Sequence, residues 1–458
     1  MNHNLKSSSF AGRILSAGDD GYDAARRGFY GGFDHRPALI AQVADAADIA
    51  RAVTFARQEG LHVSVRSGGH SLAGHGVGDG SLAIDLSRMK GIQIDVAGRT
   101  AWAEAGLTAG EYTAAAGKHG LATGFGDTGS VGLGGITLGG GIGFLVRKYG
   151  LTIDELLAAD IVTADGDVVR TDRNDHPDLF WAIRGGGGNF GVAVRFQFRL
   201  REVDTVTGGL LVLPATKGII ASFMAEALEA PEDLSTIANV MKAPPLPFLD
   251  AEYHGKVVIL ATLVHSGHPA EAGAALARFR SLATPIADLV KPLRYPELYP
   301  QEQGGFHPSA VGTTLFLDSV DTGMAEMALE RLRTSKAQIA ALQLRALGGA
   351  MARVGIHDTA FAHRASRIMA NIGSLYGAPE EKADHTAWVG DFAADLRQGD
   401  QGAYVNFLGD EGADRVRAAY PGPTWDRLAA IKARYDPANT FRFNHNIPPA
   451  AARSADPA

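Results

Sequence analysis

Glycine constrains this chain more than any other residue. There are 57 glycines in 458 positions, and they gather at 68–80, 124–143 and 184–191 instead of spreading as they would through a flexible linker. Between short apolar runs, clustered glycine means backbone held close to another strand or to a ligand. The first cluster follows the run Leu61–Val65 as Arg66-Ser-Gly-Gly-His-Ser71. Gly68 and Gly69 let the main chain approach a ligand closely, and the successive N–H groups of such a turn make a concavity suited to a pyrophosphate. His70 follows directly, placed to touch or to bond whatever the phosphates carry. The second cluster reads Gly132-Leu-Gly-Gly-Ile-Thr-Leu-Gly-Gly-Gly-Ile-Gly143.

Length and composition narrow the field. A chain of this size outgrows one hydrophobic core, so two or three domains are expected. An apolar share of 46% with 20% charged residues describes an ordinary soluble globular protein. The net charge of −7 and the lack of any long block of like charge argue against a nucleic-acid surface. No apolar run is long enough to span a membrane. The stretch Met1–Ser9 lacks the apolar core of a secretory signal, so a cytoplasmic location is the expectation. The chain has no cysteine, which excludes disulfides, thiolate catalysis, iron–sulfur clusters and cysteine zinc sites. With no P-loop and no G-x-S-x-G, nucleotide hydrolysis and α/β-hydrolase chemistry have no support.

The pattern along the chain is α+β. Residues 37–70 read as strand, helix, strand: Asp45 or Asp48 caps a helix through Glu59 with Ile49, Val53 and Ala56 on one face, and Gly60 ends it. Strands are expected at 81–86, 92–96, 99–105, 157–163, 168–171 and 192–200, and a helix from Thr108 to His119. After about residue 205, strand-like runs at 210–213, 256–264 and 313–317 alternate with helix-like stretches at 217–228, 269–282 and 323–333, which fits an antiparallel sheet covered by helices. Tyr404–Leu408 has the composition of a strand, and Pro423–Tyr435 that of a helix. The aromatics Phe248, Tyr253, Tyr295, Tyr299 and Phe306, together with His363 and Arg364, are assigned to packing.

Arg66-Ser-Gly-Gly-His-Ser71 resembles the flavin-attachment turn of the FAD-linked oxidases of the vanillyl-alcohol oxidase superfamily, in their berberine-bridge-enzyme-like branch. Three further stretches match that family in the same order. They are Gly132–Gly143 with Arg147-Lys-Tyr-Gly-Leu151, then Asp178–Gly191, and Tyr435-Asp-Pro-Ala-Asn439 ahead of Phe441–Pro448. The resemblance implies a two-part PCMH-type FAD-binding domain over 1–205, a substrate-binding domain over 206–403, and a C-terminal segment, 404–458, that returns to the first domain. It implies FAD as cofactor, a small-molecule substrate, and dioxygen as the acceptor that yields hydrogen peroxide, with no nucleic-acid or membrane partner. A flavin dehydrogenase with another acceptor, or a catalytically silent binding protein, stays open. The substrate and the oligomeric state are not readable.

The resemblance also assigns residues. His70 is the covalent attachment site, through the 8α-methyl group of the flavin; metal ligation with His75 is the rival role, and no acidic ligand set supports it. Arg66, Ser67, Gly68, Gly69 and Ser71 contact the pyrophosphate, and for Arg66 a salt bridge is the alternative. Relatives that make a second bond to the flavin do so from a cysteine in the loop Gly126-Asp-Thr-Gly-Ser-Val-Gly132. Thr128 stands there in this chain, which leaves a single covalent link. Val131 falls where the family controls dioxygen access, and it looks like an oxidase residue. His75, Gly126, Asp127, Gly132, Gly135, Thr137, Gly139, Gly140, Gly141, Gly188, Gly191 and Val192 complete the expected cofactor contacts. Gly186-Gly-Gly-Asn-Phe-Gly191 also fits G-x-G-x-x-G, but that fingerprint needs a helix after it. A period-two run, Val192–Phe198, follows, so the loop is assigned to adenine or ribose. Tyr404 is placed as the base or as an aromatic wall, and Asn406, Asn444 and Asn446 as hydrogen-bond partners of the flavin's pyrimidine edge. A tyrosine is a poor base unless a neighbouring charge lowers its pKa.

Overall fold

The structure is a computed structural model that describes residues 10–300 and 307–451. Phe306 lies outside those residues. Two sheets occupy the first part of the chain. Strands β1 (Arg13–Leu15), β2 (Leu39–Gln42), β3 (Val63–Arg66) and β4 (Leu82–Asp85) are ordered β1-β2-β4-β3, with β4 parallel to both β2 and β3. A helix, Ala46–Glu59, makes the β2–β3 crossover. Asp45 caps it by accepting from the Asp48 amide, and Gly60 closes it at φ 66. Asp48 does other work: buried, it accepts from the amides of Ala11, Gly12 and Ala44. Ile49 and Val53 are fully buried on the inner face, each contributing about 1.5–3 kcal/mol.

The second sheet comes from β5 (Ile92–Asp95), β6 (Thr100–Glu104), β7 (Leu121–Ala122), β8 (Leu156–Val162), β9 (Val168–Asp172), β10 (Val192–Arg199) and β11 (Arg201–Glu202). Its order is β5-β6-β10-β8-β9, all antiparallel, with β7 and β11 forming a separate short ladder. In β10, Val194, Phe196 and Phe198 are buried while Arg195 and Gln197 are half-buried, the alternation that a one-sided strand requires.

The third sheet is larger and antiparallel. It contains β12 (Thr205–Pro214), β13 (Leu234–Lys242), β14 (Val257–His265), β15 (Ala287–Asp288), β16 (Lys291–Arg294), β17 (Ser309–Leu317), β18 (Ile339–Ala346) and β19 (Ile368–Tyr376), in the order β15-β12-β14-β13-β18-β19-β17, with β16 also on β12. Helices Lys217–Glu229, Pro269–Arg280, Thr322–Thr334 and Lys382–Leu396 cover one face. Phe223, Leu276, Phe279, Leu329 and Phe392 pack there on Leu213, Val240, Leu342, Leu344 and Ile372. The register places Asn239, Gln343 and Asn371 side by side on the other face, where Gln343 donates to Asn239 Oδ1 over 2.9 Å.

Beyond this sheet, helix Pro423–Tyr435 packs Leu428 and Ile431 into the same core as Leu179, Phe180 and Phe190. Lys432, fully buried beside Asp436, donates to Asn189 O over 2.7 Å and to Phe441 O over 3.0 Å. The Tyr435–Asn439 stretch thus pins the chain end beneath the 184–191 loop. Tyr404–Leu408 is not a strand. Val405–Phe407 is a single 3₁₀ turn, because the Tyr404 amide bonds a side chain, Thr314 Oγ1, rather than a strand ladder.

Candidate cofactor and active site

The two glycine clusters meet backbone to backbone. A Cβ on Gly68 would overlap the Gly132 nitrogen, and one on Gly132 would overlap Gly68 N and Ser67 Oγ. Only glycine at both positions permits the approach. Ser67 braces it, donating to Ala105 O over 2.6 Å and accepting from the Gly134 amide. Gly69 sits at φ 75. Among the described residues no group accepts from the amides of Gly68, Gly69 or Ser71, which is the donor set an anion needs. The Arg66 guanidinium is spent elsewhere, 2.8 Å from the buried Asp85 and 2.9 Å from Arg27 O.

These turns form one wall of a cavity of about 400 Å³, within the usual range for ligand pockets. Of the residues expected at a cofactor, Arg66, Ser67, Gly68, Gly69, His70, Ser71, His75, Gly126, Asp127, Thr128, Val131, Gly132, Gly135, Gly188, Gly191, Tyr404, Asn406 and Asn444 line it. Gly135 and Gly188 face open space, since a Cβ on either meets no protein atom within 4 Å. Six expected contacts are off the lining. Thr137 is buried in helix Leu133–Gly139, Gly139 backs onto Asn406, Gly140 onto Phe361 and Tyr404, and the Gly141 amide is bound to Tyr404. Val192 pairs with Val162 in the sheet, and Asn446 is off the lining.

The far wall comes from the large sheet: Ala310, Val311, Gly312, Asn371, Gly373 and Leu375 of β17 and β19 line the cavity. Arg345 of β18 stitches the two sides together. Buried, it lies 2.6 Å from Asp127 Oδ2 and donates to Ile142 O and Gln343 Oε1. Arg147 and Lys148 dock the same interface by donating to Leu347 O, Ala230 O and Ser266 O. His363, buried and stacked on Phe316, and Arg364, bidentate to Asp154 at 2.8 Å, are packing residues. Tyr295 and Tyr299 are buried, whereas Phe248 is exposed.

The chemistry of the lining is specific. Tyr404 is buried, and its hydroxyl accepts from the Gly141 amide and from Asn406 Nδ2, both over 2.9 Å. Burial outweighs those bonds and raises its pKa, the wrong direction for a general base. His75 and His445 meet edge to face at 4.8 Å; burial lowers them to about 4 and about 3, so both are neutral near pH 7. His70 is held at the wall with Nε2 2.8 Å from Ser130 Oγ.

Two buried polar atoms on the lining, Asn444 Oδ1 and Tyr420 OH, have no partner among the described residues. Such atoms are costly unless a ligand or water completes them. With the amides of Gly68, Gly69 and Ser71, they fit a long ligand carrying phosphates at one stretch and hydrogen-bonding groups at another, as FAD does. Leu72, Asn371, Phe407 and Tyr420 also line the cavity, as does His445 of the matched stretch Phe441–Pro448; the signal for Asn371 and Gly373 is alternation along β19. Away from the cavity, Asp233, His265 and Glu271 cluster, but the Lys148 ammonium lies 2.7 Å from Asp233 and supplies the positive charge there. No helix among the described residues is long and apolar enough to cross a membrane.

Residues 37–172 match a family model described as an FAD binding domain, and residues 403–448 one described as berberine and berberine like. The chain is similar to an (R)-6-hydroxynicotine oxidase of Paenarthrobacter nicotinovorans, 32% identical over 96% of this chain and 97% of that protein. It is also similar to a xylooligosaccharide oxidase of Thermothelomyces thermophilus, 29% identical over 91% of this chain and 88% of that one. Among solved structures, a 6-hydroxy-D-nicotine oxidase from Arthrobacter nicotinovorans aligns with a TM-score of 0.85 at 28% identity, covering 98% of this chain and 99% of that one.

Proposed function

The chain belongs to the berberine-bridge-enzyme-like FAD-linked oxidoreductases, and from that premise we propose that it holds FAD by one covalent bond at His70 and oxidises a small amine with dioxygen as acceptor. One observation supports this most: the His70 imidazole stands at the wall of the cavity where the two glycine turns meet. Bound FAD supplies the two-electron acceptor for a hydride leaving a substrate C–H. The substrate gives up two electrons and two protons, and dioxygen takes both to become hydrogen peroxide. The chain's own share is binding and orientation. The amides of Gly68, Gly69 and Ser71 would hold the phosphates, Asn444 and Tyr420 would bond the cofactor through their unpartnered atoms, and Asn371 with its apolar neighbours would position the substrate. Val131, on the lining, fits oxygen access.

The lining favours an amine over an alcohol or a sugar. Alcohol oxidation requires a base on the hydroxyl proton, whereas an amine nitrogen drives hydride loss with its own lone pair. Tyr404 is tied up and raised in pKa, His75 and His445 are weak bases, and Asp127 is paired with Arg345. Tyr404 then serves to hold Asn406 and the 140–141 turn. The relative named for 6-hydroxynicotine supports the same direction.

A peroxide assay under air, over cyclic and secondary amines, primary alcohols and aldoses, tests this. Amine-dependent peroxide is expected. Turnover confined to sugars would overturn the substrate class, and reduction of an artificial acceptor without peroxide would make the enzyme a dehydrogenase.

A further inference from the structure

His70 is gripped from two directions. Ser130 Oγ is 2.8 Å from Nε2, and the Phe29 ring stacks on the imidazole with centroids 4.1 Å apart and planes 16° apart. Phe29 is itself fixed: its amide donates to Gly69 O over 2.9 Å, and its carbonyl accepts from His307 Nδ1 over 2.8 Å. The adjacent Gly31 amide donates to Pro308 O over 2.9 Å, so the 28–31 segment straps the attachment turn to the start of β17.

We propose that Ser130 and Phe29 are positioning residues for covalent attachment at His70, an inference that rests on the covalent reading above. In the bond-forming step a ring nitrogen joins the flavin methyl carbon. The imidazole N–H and one methyl hydrogen are lost, and dioxygen takes the two electrons and two protons as hydrogen peroxide. A nitrogen that attacks carbon needs its lone pair. In the tautomer whose Nε2–H donates to Ser130 Oγ, 2.8 Å away, the lone pair lies on Nδ1, and the proposed step takes Nδ1 as the bonding atom. As the bond forms, positive charge spreads over the ring. Ser130 then accepts a strengthened hydrogen bond, and the face of Phe29 lies against the cationic ring. The stack also fixes the ring plane, so that little torsional freedom remains to be lost.

The test compares wild type, Ser130→Ala, Ser130→Thr and Phe29→Leu, each purified and incubated with added FAD. Total flavin is read by absorbance, and bound flavin by fluorescence of the denatured chain on a gel. Ser130→Ala is expected to attach flavin about tenfold more slowly or worse, the scale of a hydrogen bond lost to a charged group. Its total flavin stays near wild type, and Ser130→Thr restores the rate. Phe29→Leu is expected to slow attachment less. If both Ser130→Ala and Phe29→Leu attach at the wild-type rate, the inference is wrong. A wild type with only dissociable flavin would instead remove the covalent reading itself.

Discussion

The two walls of the cavity are built on opposite principles. The wall from the first part of the chain is backbone: Gly68 against Gly132, with Gly135 and Gly188 open to the space between. The facing wall is side chains on a sheet, with Asn371 and Gly373 presented by the pleat of β19 and helices holding the far side. A backbone wall tolerates one residue type and recognises what all its ligands share, the phosphates. A side-chain wall can be redrawn residue by residue without moving the strands, and that is where substrate choice belongs. Arg345, paired with Asp127 across the gap, holds the two at fixed spacing.

The sharpest break should come at the contact between glycines. Gly132→Val is expected to drive a side chain into Gly68 and Ser67, with loss of the visible flavin band and of most soluble protein. Gly373→Ala on the opposite wall, where a Cβ meets nothing within 4 Å, should keep full flavin and change only the substrate profile. Equal damage from both would end the contrast. Next in size is Lys432→Met. It leaves Asp436 charged and buried without its partner and should cost about 3–5 kcal/mol, read by urea denaturation with FAD present.

A pH series probes the same wall, with an effect that grows as the pH falls and is small near neutrality. His75 and His445 sit at about 4 and about 3 against an ordinary 6.5. Below pH 6.5 the unfolded chain takes up protons that the folded chain refuses. Stability is therefore full above pH 6.5 and falls toward pH 4, by up to about 1.4 kcal/mol per pH unit for each histidine. His445→Gln should flatten the slope of melting temperature between pH 6.5 and 4; an unchanged slope would mean the imidazole is solvated in the folded enzyme. The smallest expected change is at Asn371→Ala: KM for the substrate found by the peroxide assay rises roughly fivefold, the scale of one neutral hydrogen bond, with the flavin spectrum unchanged.

Sequence legibility follows the same division. The backbone wall was readable because glycine is used where nothing else fits, and the clusters at 68 and 132 are its direct trace. The helix-covered face of the sheet was partly readable through its apolar residues. Strands β13, β18 and β19 are hard to read in the sequence, because their cavity-side faces carry Asn239, Gln343, Arg345 and Asn371 and break the apolar pattern. Tyr404–Leu408 misled for another reason: its composition suits a strand, but its hydrogen bonds go to side chains and to the 140–141 turn. That contact also explains why Gly139, Gly140 and Gly141 support the wall from behind. Gly139, Gly140 and Gly141 lie one layer deeper than expected, since a glycine pressed on a neighbour and a glycine facing a ligand look alike in sequence.

The account turns on His70 as the anchor of the backbone wall. The intact mass of the denatured chain measures this most directly. Wild type should be heavier than the bare chain by one FAD less two hydrogens, and His70→Ala should carry no adduct while still binding flavin reversibly. An unmodified wild-type chain with all its flavin in solution, or a flavin adduct that persists in His70→Ala, would contradict it.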